Sequence, residues 1–175
     1  IGRTFGHIVC SKFSEKKIAT GYDGRLTSPS LHNALCAGLL ESGANVFSIG
    51  LCPTPMAYFA HYHLKTDAAV MVTGSHNPPE YNGFKMVLNK HSFFADEIQN
   101  LQSLTTLKNI STGQGKLTNI DIRNEYVKNN LKNIKFNKKM KIAWDIANGS
   151  MGTVIDSFTN QLSSAEHIVI NKEVD

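Results

Sequence analysis

Three side chains with complementary chemistry lie close together in the sequence: the hydroxyl of Ser75, the imidazole of His76 and the ammonium group of Lys85. A serine can act as a nucleophile, or carry a covalently bound group, where neighbouring side chains activate it. A histidine or a lysine beside it can move a proton or neutralise an anion. The alternative is an ordinary polar connection in which Ser75 and His76 only satisfy local backbone groups.

The residues around Ser75 form a predicted loop that directly follows an apolar segment. Residues 68–72 read Ala-Ala-Val-Met-Val, and so short and uniform a run predicts a strand buried on both faces of a parallel sheet. Residues 73–83 contain several turn formers, among which Pro78 and Pro79 stiffen the backbone. Open α/β sheets usually bind their ligands at the carboxyl ends of their strands, so this position favours a functional loop.

Strands and helices alternate along the first part of the chain. Strands are predicted over 17–22 and 46–49, and a helix follows each of them. Each helix start is marked by a capping residue and a proline, which are Ser28 with Pro29 and Thr54 with Pro55. The alternation is typical of right-handed parallel crossovers. The sequence therefore predicts an α/β fold in which a mainly parallel sheet lies between layers of helices.

A strand over 83–88 and helices over 97–104 and 121–131 follow the loop. A lysine-rich stretch comes next, and its lysines are Lys132, Lys135, Lys138, Lys139 and Lys141. It could bind nucleic acid, but aromatic residues suited to stacking are not interleaved. We interpret it as a solvated linker helix at a domain boundary.

The predicted first domain spans residues 1–137, and residues 138–175 open a second α/β domain. A strand over 140–145, a turn at Asn148-Gly149, a helix through 154–162 and a strand over 168–170 make up this second part. A unit of that size cannot bury both of its faces by itself. The turn could bind a phosphate or could be an ordinary turn, because it lacks a full glycine fingerprint.

Composition limits the remaining classes. The formal net charge of the 175 residues is +4, which is modest for a nucleic-acid-binding protein. No apolar run approaches the ~20 residues that span a bilayer, and the first residues do not resemble a secretory signal. Three widely spaced cysteines without a C-x-x-C pair are expected to be reduced thiols. We therefore expect a cytoplasmic protein with no nucleic-acid partner and no membrane partner.

The loop resembles the active-site loop of the α-D-phosphohexomutases, the phosphoglucomutase and phosphomannomutase family. The resemblance is carried by Thr-Gly-Ser-His-Asn-Pro at 73–78. The continuation Tyr-Asn-Gly-Phe-Lys at 81–85 is similar to the bacterial phosphomannomutase/phosphoglucomutase branch. Residues 21–29, 50–60 and 141–149 resemble further motifs of the family in the same order, so that the resemblance covers nearly the whole chain.

The resemblance implies an enzyme that interconverts the 1-phosphates and 6-phosphates of mannose or glucose. Ser75 would carry the phosphoryl group as phosphoserine and would bind Mg²⁺ through that phosphate. Lys85 and His76 would serve as catalytic residues that move protons, and His76 could instead hydrogen-bond the phosphate. The residues implied to bind substrate are Arg25, Asn77 and Tyr81. For Arg25, a structural salt bridge is an equally good interpretation.

Members of this family have four domains around a central cleft. The resemblance implies that a first strand would precede Ile1, and that the magnesium-binding loop, the sugar-recognition loop and the fourth domain would follow Asp175. The expected partners are therefore a hexose phosphate and the missing C-terminal domains of the same protein, and the chain alone is expected to be inactive. A serine hydrolase is disfavoured because no Gly-x-Ser-x-Gly motif surrounds Ser75. A binding or scaffold role stays open.

Overall fold

A computed structural model describes residues 1–106, 109–136 and 138–175. None of the helices in this described part is long and apolar enough to cross a membrane. The helices are α1 (Gly2–Lys12), α2 (Ser28–Glu41), α3 (Thr54–His63), α4 (Asp96–Leu104), α5 (Arg123–Leu131) and α6 (Ile155–Gln161), with a 3-10 helix at Ser150–Thr153. The strands are β1 (Lys17–Tyr22), β2 (Asn45–Leu51), β3 (Ala68–Val72), β4 (Phe84–Leu88), β5 (His91–Phe93), β6 (Leu117–Asn119), β7 (Met140–Asp145) and β8 (Ala165–Ile170).

The main sheet has six strands in the order β5-β4-β3-β1-β2-β6. Strands β3, β1, β2 and β6 run parallel to one another. Strand β4 pairs antiparallel with β3, and the edge strand β5 pairs antiparallel with β4. The predicted α/β fold with a mainly parallel sheet is confirmed. Because β4 runs antiparallel to β3, the chain leaves the carboxyl end of β3 in a loop and then returns beside β3. The first residues of β4 therefore lie next to the loop that contains Ser75.

Strand β3 is the centre of the core, and all five of its residues are buried. Its side chains alternate between two apolar clusters on opposite faces of the sheet. Ala68, Val70 and Val72 pack with residues of α1 and α2, while Ala69 and Met71 pack with residues of α3 and α5. The uniform apolar sequence of 68–72 is explained by this double burial, since neither face of the strand meets water.

The second sheet consists of β7 and β8, which pair in parallel from Met140 with Ala165 to Asp145 with Ile170. Helix α6 packs this unit against α5, and the ring centroids of Phe158 and Tyr126 lie 6.0 Å apart. The other face of the small sheet is open, with Ile168 54% exposed. The predicted domain boundary falls at residue 137, which lies outside the described residues, and the two-domain division stays a prediction.

Two details of the predicted helix starts are wrong. Ser28 and Thr54 are the first helical residues, and no side chain caps either helix. Ser28 does not cap because its Oγ donates a hydrogen bond to the carboxylate of Asp23, 2.5 Å away.

The predicted linker helix is also wrong for the described residues, because α5 ends at Leu131 and the lysine-rich stretch that follows is not helical up to the start of β7.

Two buried histidines have lowered pKa values. The Nε2 of His32 lies 3.0 Å from Thr20 Oγ1, and burial lowers the pKa of His32 to about 4. His61 Nε2 accepts the backbone N–H of Lys90, and its Nδ1 lies 2.9 Å from Thr66 Oγ1. Burial, followed by the charge of Lys90, lowers the pKa of His61 as well.

We expect the free energy of unfolding to fall as the pH is lowered from about 6.5 towards 4. Unfolded histidines bind protons with a pKa of about 6.5, while His32 and His61 resist protonation in the fold, so acid favours the unfolded chain. For His32 alone the loss reaches roughly 3 kcal/mol near pH 4. Urea unfolding between pH 7 and pH 4.5 measures it. His32→Gln should flatten the slope, whereas the exposed control His63→Gln should not. Equal slopes in all three proteins would refute this prediction.

Candidate active site

Ser75 lies in the loop that leaves the carboxyl end of β3, and its side chain is exposed. Its backbone has φ of 56°, a left-handed conformation that non-glycine residues seldom adopt and that is often found at functional sites. The base of the loop is closed by Thr73, whose N–H donates to the carbonyl of Gly83 at 2.9 Å. Thr73 Oγ1 also accepts the N–H of Ser75 at 2.9 Å. The serine is therefore fixed at the sheet edge and open to solvent.

Lys85 reaches Ser75 from β4. Because β4 runs antiparallel to β3, Lys85 pairs with Met71 and its side chain extends back beside the loop. Its Nζ donates a hydrogen bond to Ser75 Oγ at 3.1 Å. A cation at this distance can stabilise charge on the serine oxygen and can exchange a proton with it.

The side chain of Arg25 packs against the loop and makes five hydrogen bonds. Its Nε donates to the carboxylate of Asp23 at 3.2 Å. The two terminal nitrogens donate to four backbone carbonyls of the loop, at 2.7 to 3.0 Å, which belong to Ser75, Asn77, Pro78 and Tyr81. Asp23 is thus the partner in the structural salt bridge that was one interpretation of Arg25. The other interpretation, that Arg25 binds substrate, stays a prediction.

A second set of contacts ties the loop to the start of α2. Asn82 Nδ2 donates to Ser28 Oγ at 2.8 Å and to Thr27 Oγ1 at 2.9 Å, and its Oδ1 accepts the N–H of Gly83. Sequence reasoning missed Asp23 and Asn82 as site residues. Both lie within motifs that carried the family resemblance, but their side chains point to other protein groups, which the motif alone does not reveal.

A cleft of about 710 Å³ lies above the loop. The predicted site residues that line it are Arg25, Ser75, His76, Asn77 and Lys85. Tyr81 is not among its lining residues; its side chain is 57% exposed and its carbonyl is bound to Arg25. The opposite wall comes from the second sheet's unit, through the turn at 147–150 and Asp175. The cleft is large enough for a small polar substrate.

The chemistry of this cleft is that of a serine hydroxyl and a lysine in a polar pocket. Among residues 1–106, 109–136 and 138–175, no group of three or more His, Cys, Asp or Glu side chains could hold a metal ion. The buried thiol of Cys52 is a poor nucleophile, since burial raises its pKa to about 12. A serine hydroxyl hydrogen-bonded to a lysine ammonium group can act as a nucleophile or carry a transferred group.

Comparison with known proteins defines the family. Residues 1–108 match the sequence profile described as "Phosphoglucomutase/phosphomannomutase, alpha/beta/alpha domain I". The match covers more than half of the chain. The chain therefore belongs to the phosphoglucomutase/phosphomannomutase family, and the resemblance seen in its motifs is confirmed.

Individual relatives extend the match beyond residue 108. The chain is 36% identical over 175 residues to a phosphomannomutase/phosphoglucomutase of Pseudomonas putida, covering 100% of this chain and 37% of the relative. It is 40% identical over 152 residues to a phosphoglucomutase of Neisseria meningitidis, covering 84% of this chain and 33% of the relative. The chain thus spans about a third of the length of these relatives.

A solved structure agrees with the fold. The crystal structure of a phosphoglucomutase/phosphomannomutase family protein from Burkholderia thailandensis superposes with a TM-score of 0.89 at 34% sequence identity. The superposition covers 99% of this chain and 39% of that protein. Both sheets of the present chain therefore have counterparts in a longer protein of the same family.

Proposed function

We propose that the protein containing this chain is a phosphohexomutase that interconverts hexose 1-phosphate and hexose 6-phosphate, with mannose or glucose as the sugar. Ser75 carries the phosphoryl group as phosphoserine. The observation that carries this proposal is the exposed Oγ of Ser75, held at a strand end within 3.1 Å of Lys85 Nζ and facing a cleft. Family membership supports the same class of reaction.

The proposed reaction consists of two transfers with a bisphosphorylated sugar between them. In the first, the bond between phosphorus and Ser75 Oγ breaks and a bond to a sugar hydroxyl oxygen forms. That hydroxyl loses a proton and Oγ gains one. Lys85 can carry this proton, because its Nζ already donates to Oγ and the neutral amine can accept from the sugar. The bisphosphate then turns in the cleft and returns its other phosphoryl group to Ser75.

The described residues could supply only part of a magnesium site. A phosphate on Ser75 would supply an oxygen, the ligand type that Mg²⁺ prefers, but the described residues form no cluster that could complete the site. We propose that the remaining ligands belong to the part of the protein that this chain does not span. When bound, the ion would neutralise charge on the transferring phosphoryl group.

A serine hydrolase is the competing enzyme class, and the site geometry disfavours it. Such an enzyme needs a base paired with the serine, and His76 adjoins Ser75 in sequence. However, Ser75 Oγ pairs with Lys85, and no described histidine hydrogen-bonds to it. A purely structural role would leave the cleft and the left-handed Ser75 without an explanation.

The proposal is tested by intact mass and by turnover. We expect the protein purified from its natural host to carry one phosphate that maps to Ser75, and to convert glucose 1-phosphate or mannose 1-phosphate in a coupled assay. The 175-residue chain alone should show no turnover, because its described residues supply neither a complete magnesium site nor the rest of the substrate cleft. Turnover by the chain alone, or phosphate at another residue, would contradict this account.

A further inference from the structure

We infer that Arg25 is a positioning residue that fixes the loop of residues 74–83 and thereby aligns Ser75 with Lys85. The inference rests on the proposed function for its catalytic meaning, but the structural part stands on the contacts alone. Arg25 touches neither Ser75 Oγ nor Lys85 in this arrangement; it acts through the backbone of the loop.

The hydrogen-bonding capacity of the guanidinium group is fully used inside the protein. An arginine side chain offers five N–H donors in a planar fork, and Arg25 makes five hydrogen bonds, one to Asp23 and four to the loop. Its side chain is only 15% exposed. A group with no donor left over cannot also bind a substrate phosphate without releasing the loop, so positioning is the role that the contacts support.

The loop is shaped to receive this side chain. Gly74 lies against the guanidinium group, and a Cβ at Gly74 would collide with the guanidinium carbon and lie 2.5 Å from the carbonyl oxygen of Tyr81. The carbonyls of Ser75, Asn77, Pro78 and Tyr81 converge on one cation, although they come from a loop of turns rather than from a regular element. Convergent carbonyls repel each other unless a cation lies between them.

Arg25 also helps to hold Ser75 in its strained backbone conformation. The carbonyl of Ser75 accepts one of the four bonds, at 3.0 Å, and the left-handed backbone of this residue costs free energy that the surroundings must offset. Without Arg25, the loop has fewer contacts to oppose relaxation of that backbone. Ser75 Oγ would then leave the position at 3.1 Å from Lys85 Nζ.

The test compares Arg25→Met and Arg25→Lys with Arg123→Met in the full natural protein that contains this chain. Arg123 is a matched control because it makes the same local pair, donating its backbone N–H and Nε to Asp121 two residues earlier, but binds no loop carbonyl. Hydrogen exchange is measured at the amides of Asn77 and Tyr81, which donate to Gly74 and Pro78 within the loop.

We expect Arg25→Met to speed exchange at both amides by roughly tenfold or more, with no change within β3. We expect its kcat to fall on the order of 100-fold with little change in KM, since a small misplacement of a reacting group has that effect. Arg25→Lys should be intermediate, because an ammonium group cannot bond four carbonyls in one plane. Arg123→Met should match the wild type in both measurements.

The outcomes separate this inference from the proposed function. A raised KM at unchanged kcat would assign Arg25 to substrate binding and overturn positioning, as would wild-type exchange in Arg25→Met. Full activity of Arg25→Lys would also overturn the inference, because a lysine cannot make the four bonds to the loop. If the wild type turns over no hexose phosphate, the proposed function fails and the exchange rates alone decide the structural role. If Arg25→Met does not fold, Arg25→Lys provides the same comparison.

Discussion

Ser75→Ala is expected to abolish turnover of hexose phosphates by the protein that contains this chain, with a loss on the order of 10⁴-fold or more. The phosphoryl group that leaves one sugar position must be carried until it returns, and in the proposed reaction Ser75 Oγ is the only carrier. Alanine removes that oxygen and nothing else. The coupled assay with glucose 1-phosphate and mannose 1-phosphate measures the loss, and intact mass should show that the bound phosphate is gone.

The control for this substitution is Ser92→Ala. Ser92 is an exposed serine on β5, at the outer edge of the same sheet and away from the cleft lining. It should keep wild-type activity and the phosphate on Ser75. Both variants should unfold at nearly the wild-type temperature, since each removes one exposed hydroxyl. Near-normal turnover by Ser75→Ala would show that phosphoserine at this position is not part of the mechanism.

Much of this site follows from local sequence. The apolar run at 68–72 predicts the buried central strand, and the change to turn-forming residues at 73 marks the loop at its carboxyl end. The approach of Lys85 to Ser75 is also expected, because a strand that follows a short loop can return beside the first strand. These features depend on neighbours in sequence, which is the information that pattern and propensity contain.

The features that were missed depend on distant groups. Strands β5 and β6 have three residues each, too few for any periodicity to appear, and β6 exists because the edge of β2 offers unpaired backbone groups. Ser28 looks like a helix cap by type and position, but Asp23 competes for its hydroxyl. The partners of Arg25 are backbone carbonyls 50 to 56 residues away, and every residue has a carbonyl. No side-chain pattern can signal such contacts.

Lys85→Ala is expected to lower kcat by roughly 10²- to 10⁴-fold, the range typical for loss of a proton-transfer group, with a smaller effect on KM. Lys85 touches the serine oxygen directly, at 3.1 Å, so its ammonium group acts where charge develops as the phosphoryl group leaves. In the proposed reaction the sugar and its distal phosphate are held by other groups of the protein, and Lys85→Ala leaves those groups in place. Initial rates over a range of substrate concentrations separate the two constants.

Lys12→Ala is the matched control, since Lys12 is an exposed lysine in the last turn of α1 and does not line the cleft. It removes the same charge from the protein and should leave kcat and KM unchanged. The double variant Ser75→Ala/Lys85→Ala adds a further check. If the two residues act as one unit, the double variant should be no slower than Ser75→Ala alone, because Lys85 has no function once the oxygen it serves is absent. A further loss in the double variant, or an unchanged kcat in Lys85→Ala, would place the proton transfer on another residue.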